Sequence, residues 1–167
     1  MTNSELYYFV GKCLAMDADP EAKQAVKSLV LASAVSWEDF VWMGSSHMVL
    51  PALYTSFKRN ELLPFLPADL SGYLADIHAL NYNRNQRILE QSHELIRILN
   101  GAGIEPVFLK GAGHLLQGLY YDAGDRIMSD IDILLSQEDI PKAAALLYEN
   151  GYFHPDEFKE DNFEKHH

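Results

Sequence analysis

The chain has 167 residues, of which 24 are Asp or Glu and 13 are Lys or Arg, a formal charge of −11. That balance excludes a broad nucleic-acid or anionic-membrane surface, because phosphate-dense partners select clustered Lys and Arg; a small basic site for one nucleotide stays open. The 48% hydrophobic share supports a packed core, and the lone Cys13 can close no intrachain disulfide, which fits a reducing compartment. The N-terminal Met-Thr-Asn-Ser-Glu lacks the positive head and apolar stretch of a signal peptide. The longest apolar run, about Leu29 to Val35, is well short of the ~20 residues a membrane helix needs. A cytoplasmic protein without membrane contact is expected.

In chain order, residues 1–100 read as a helical region. Asp19-Pro20-Glu21 is a helix start, with an acceptor, a proline whose missing N–H is harmless, and an acid near the positive helix end. Ser36 is placed to cap an aromatic-rich helix through Phe40, Val41 and Trp42, and Val49 to Tyr54 forms a further apolar segment. Pro64 and Pro67 punctuate a loop. From Ala68 to Asn100 there is no proline, and Gly101 and Gly103 stand where a helix end favours glycine, so one long helix is predicted over about 68–100. Its apolar seam runs Leu70, Tyr73, Leu74, Ile77, then Ile88, Leu95 and Leu99, with Asn81 and Arg84 in the gap. Polar residues on a core-facing stripe cost free energy unless something polar meets them. The helix either bends or is solvated there, or its midpoint borders a polar site.

After Gly103 the pattern changes. Glu105 to Leu109 is short, apolar and bounded by glycines, a predicted strand. The turn Lys110-Gly111-Ala112-Gly113 leads into a helix over His114 to Tyr120. A polar turn, Asp122 to Arg126, precedes a second strand over about Met128 to Leu135. Ser136 then caps a helix running to Tyr148 and closed by Gly151. The fold class is α+β: a helical N-terminal region (1–100) packed on a small mixed-sheet α/β core (104–167).

The chemistry concentrates in two places. In a strand, residues two apart share a face, so Asp130 and Asp132 project together while Ile131 and Ile133 point into the core. Two carboxylates about 6 Å apart repel by about 3 kcal/mol at an effective dielectric of ~20. A divalent cation offsets that, and hard oxygen ligands suit Mg²⁺, whose shell is completed by water and phosphates. Two solvated aspartates at an exposed strand end are the plainer alternative. The small residues of the 110–113 turn let backbone N–H groups approach an anion. The turn is neither the dinucleotide fingerprint, since Leu116 stands at its third glycine, nor a P-loop. Arg126 can neutralise phosphate charge or pair with Asp122 or Asp125. Jointly these features describe a site for a metal-bound nucleoside triphosphate.

Leu109-Lys110-Gly111-Ala112, followed by Tyr121-x-x-Gly124-x-Arg126-x-x-x-Asp130-Ile131-Asp132-Ile133-Leu134, resembles the uncharacterised nucleotidyltransferase family of the DNA polymerase β-like superfamily. Trp37-Glu38, His47, Pro51-Ala52-Leu53, the Asn81–Arg84 stretch and Asn150-Gly151-Tyr152 extend the resemblance over roughly residues 35–155. It implies Asp130 and Asp132 as Mg²⁺ ligands and catalytic residues. It also implies Gly111 and Ala112, with Lys110, as the triphosphate-holding turn. Ala112 replaces the commonest serine. The implied reaction is nucleotidyl transfer from an NTP, ATP being the expected one, to an unidentified acceptor hydroxyl. Such proteins take a third carboxylate from a later strand. Here the later acids (Asp156, Glu157, Glu160, Asp161, Glu164) lack strand alternation, so the core is expected to be cut short and the chain to be the front part of a longer protein. The competing expectation is a non-catalytic nucleotide-binding or interaction module on a degenerate fold. Extended nucleic acid is not an expected partner.

Overall fold

The computed structural model describes residues 1–153. The first two helices start where their local chemistry puts them. Thr2 and Glu5 form a reciprocal capping box at the head of α1 (Asn3–Ala15). Asp19 accepts from the N–H groups of Glu21 and Ala22 at 2.9 and 3.1 Å ahead of α2 (Pro20–Leu31). α3 (Trp37–Ser46) begins after Ser36, although that side chain makes no capping bond. α4 (Leu50–Arg59) follows, and a short 3-10 turn, Leu63–Phe65, occupies the proline-marked loop.

α5 (Ala68–Gly101) is one unbroken helix of 34 residues, about 51 Å long at ~1.5 Å per residue. The predicted seam holds at its ends, where Leu70, Leu74, Ile88, Leu95 and Leu99 are buried. The seam departs from expectation at Tyr73 and Arg84, both exposed, and in the middle of the helix the buried face continues through Asn81, Asn85 and Ser92. Three apolar clusters are strung along this helix. The largest joins α1 to α4 with Leu70 and Leu74, around Phe9, Phe40 and Phe57. The second gathers Ala112, Leu115 and Met128 on Ile88, and the third gathers Ile104 and Ala143 on Leu99. Among the described residues, no helix is long and apolar enough to cross a membrane.

The α+β class agrees with the structure, but the predicted strands are longer than the observed ones. β1 (Val107–Phe108) and β2 (Ile133–Leu134) form a two-stranded antiparallel ladder in the described residues, pairing Val107 with Leu134 and Phe108 with Ile133. The sheet is therefore not mixed there. The start of the predicted second strand is occupied otherwise: Met128 is buried against Ile88 of α5, Ala112 and Leu115. Packing on the long helix outweighs the local alternation.

The next helix also begins earlier than its glycines suggest. α6 spans Lys110–Leu116, so Gly111, Ala112 and Gly113 lie inside it rather than in a turn before it. Gly113 explains the placement, since a Cβ there would sit 2.5 Å from the Phe108 carbonyl oxygen. The helix can lie against β1 only without that atom. Replacing Gly113 with Ala is expected to destabilise the protein by about 1–3 kcal/mol through forced backbone shifts. The same change at Gly72, on the exposed side of α5 with no neighbouring atom within 4 Å, is expected to stabilise by about 0.5–1 kcal/mol. Urea unfolding of both variants checks the contrast. α7 (Ile140–Glu149) closes the described chain. Ser136 builds the turn before it rather than capping it, donating to Asp139 Oδ2 at 2.6 Å, and Gly151 takes the positive φ of 87° beyond its end.

Candidate active site

The antiparallel register brings together two motifs that lie about twenty residues apart in sequence. Beyond the Phe108–Ile133 pair, Leu109 N–H donates to the Asp132 carbonyl at 2.9 Å. Lys110 comes next, and its Nζ lies 3.1 Å from Asp132 Oδ2. Lys110 also has a φ of 49°, in the left-handed region that a side chain disfavours. The ammonium is largely exposed and the carboxylate half-buried, so the pair positions charge rather than contributing much stability.

Asp130 is exposed, and one of its oxygens accepts the Ser129 hydroxyl at 3.1 Å. Between the two acids, Ile131 packs on the cluster of Ile88, Ala112, Leu115 and Met128. The acids thus flank an inward-facing residue, and each has solvent access. Gly111 and Ala112 occupy the second and third positions of α6, where backbone N–H groups have no acceptor within the helix. Ala112 itself is buried, and Gly111 leaves room for Met128 Sδ, which a Cβ would approach to 3.3 Å. His114 is exposed, with Nδ1 3.5 Å from Tyr120 Oη.

Arg126 does not join the Lys110–Asp132 pair. Its carbonyl oxygen accepts from Asn81 Nδ2 at 3.0 Å and Asn85 Nδ2 at 2.8 Å. The residue lines a cleft of about 360 Å³ with His47, Met48, Tyr120 and Ile127. Asn81 also donates to the Gly124 carbonyl at 2.7 Å and Asn85 to that of Ala123 at 2.6 Å. This answers the gap in the α5 seam: polar side chains are buried there because they satisfy the carbonyls of the 122–126 turn.

Among the described residues, Asp122 and Asp125 do not pair with Arg126; both face His78 instead. His78 Nε2 lies 3.1 Å from Asp122 Oδ1 and 3.7 Å from Asp125 Oδ1. Burial holds the Asp125 carboxyl above the usual carboxylate range, opposed by hydrogen bonds from Thr55 and the Asp122 backbone. Nothing local marks His78 in the sequence, since its partners are more than forty residues away. The Asp122-x-x-Asp125 spacing was the only available signal. The acids considered as a third carboxylate, Asp156 to Glu164, lie outside the described residues.

No curated protein and no solved structure matches the chain. Residues 33–167 match the model of a family described as uncharacterised nucleotidyltransferase, leaving only α1 and α2 outside the match. Because the match takes in most of its length, this protein belongs to that nucleotidyltransferase family.

Proposed function

We propose that the protein transfers a nucleoside monophosphate from an NTP, ATP first among them, to an acceptor hydroxyl in a Mg²⁺-dependent reaction. The observation that carries this reading is the contact between Lys110 and Asp132, which joins the α6 start to the acidic segment across the end of the β ladder. The donor set fits the metal. Asp130 and Asp132 are solvent-accessible carboxylates, hard oxygen ligands of the kind Mg²⁺ takes together with water and substrate phosphates. When bound, Mg²⁺ supplies charge neutralisation at the phosphates.

The remaining tasks fall to the chain. Lys110 holds positive charge beside the acids, where it can pass from Asp132 to a phosphate oxygen. The α6 N–H groups of Gly111 and Ala112 orient the triphosphate. The acceptor oxygen bonds to the α-phosphorus as the bond to the bridging oxygen breaks. The electron pair departs with pyrophosphate and the acceptor proton passes to water. Positioning and electrostatics dominate catalysis of this kind.

NMR with Mg²⁺ and a nonhydrolysable ATP analogue tests the site. Amide shifts are expected at Lys110 to Ala112 and Ser129 to Asp132, with none when Mg²⁺ is withheld. Shifts confined to other residues would overturn the assignment. Shifts at these residues without pyrophosphate release from ATP would favour a nucleotide-binding module instead.

A further inference from the structure

We propose that His78, Asp122 and Asp125 form a second metal site, binding a first-row divalent cation of the Zn²⁺ type that clips the 122–126 turn to the midpoint of α5. The proposal does not depend on the nucleotidyl-transfer reading. Its ligands come from other residues, and its ion serves structure.

The geometry is the first ground. One ligand atom from each residue lies within 4.8 Å of the other two. The His78 Nε2 separations of 3.1 and 3.7 Å bracket the ~3.3 Å expected between neighbouring ligands of a tetrahedral ion with bonds of about 2.0–2.1 Å. One imidazole nitrogen and two carboxylates form a mixed set that suits Zn²⁺ better than Mg²⁺.

Unsatisfied atoms are the second ground. Among the described residues, His78 Nε2 and Asp125 Oδ1 are both buried and neither has a hydrogen-bond partner, although the two lie near each other. A protonated imidazole would direct its N–H at one of the carboxylates. This ring does not, so a plain ion pair leaves buried polar atoms unmet. A cation accepting all three lone pairs removes the deficit.

The third ground is that the ligands are held in place before any ion arrives. Asp122 N–H donates to Asp125 Oδ2 at 3.2 Å, and Gly124 N–H donates to Asp122 Oδ1 at 2.7 Å. The His78 ring lies against Tyr54 with centroids 5.0 Å apart. Asn81 and Asn85 hold the turn by its carbonyls. Gly124 keeps the ring nitrogen clear, since a Cβ there would come within 2.6 Å of Nε2. Outer partners of this kind orient ligands and are worth about 10–100-fold in metal affinity.

The test uses the full chain with His154, His166 and His167 changed to Asn, so that their imidazoles do not compete. After chelator treatment and dialysis, Co²⁺ titration is expected to saturate at one equivalent with visible d–d absorption, displaced by Zn²⁺ and not by excess Mg²⁺. His78→Gln and Asp122→Asn should each weaken binding by more than about 100-fold, beyond the loss of an outer partner. Asp130→Asn with Asp132→Asn should leave it unchanged. Should His78→Gln fail to fold, X-ray absorption of the Zn²⁺-loaded parent reads the same point, with one nitrogen ligand expected among oxygens. Absence of stoichiometric binding, an all-oxygen shell, or loss of binding only in the Asp130/Asp132 variant overturns the proposal.

Discussion

A chain carrying Asp130→Asn and Asp132→Asn together is expected to release pyrophosphate from Mg²⁺–ATP at least about 10³-fold more slowly than wild type, the scale of losing a charge that organises phosphoryl transfer. Water or a simple polyol serves as acceptor in the assay. The amides keep the size of the carboxylates but remove both negative charges, so the proposed Mg²⁺ ligands are lost while the side-chain size is kept. Stability should move little. Relief of repulsion between the acids opposes loss of the Lys110–Asp132 pair, whose ammonium is largely solvent-exposed and which is worth at most about 1 kcal/mol. An unfolding midpoint near that of wild type, beside collapsed turnover, separates chemistry from folding. Turnover equal to that of wild type would show that the acids hold no catalytic metal.

Replacing Asn85 with Ala is expected to cost about 2–4 kcal/mol of stability. Asn85 is fully buried, and its Nδ2 serves the carbonyls of Ala123 and Arg126. Losing it strands buried acceptors at about 1–3 kcal/mol each. The Arg126 oxygen keeps its bond from Asn81, which limits the total. Because the two asparagines share that acceptor, Asn81→Ala and Asn85→Ala should not add in the double variant. Two readouts check the account: urea unfolding, and trypsin cleavage after Arg126, which should accelerate once the turn is released from α5. A loss below about 0.5 kcal/mol, the range of an ordinary surface change, with unchanged cleavage would show that the clamp does not hold the turn.

Where a feature rests on neighbours in sequence, the residues alone were enough. Asp19-Pro20 started α2, and the proline-free stretch after Pro67 marked α5 almost to the residue. The family, too, was legible from Lys110-Gly111 and the Arg126 to Leu134 pattern. The 110–113 glycines misled on one point. Gly113 is needed for its approach to Phe108 and not for a turn, and close approach between elements leaves no local trace.

The sequence by itself thus determined the starts of α1 and α2 and the span of the long helix. Each follows from capping or periodicity within a few residues. Only the tertiary structure decided how short the strands are, that Asn85 rather than Arg84 lies on the buried face of α5, and that His78 meets Asp122 and Asp125. The last two share a physical reason. Each depends on α5 meeting the 122–126 turn across some forty residues of chain, where buried polar groups demand partners that no local pattern announces.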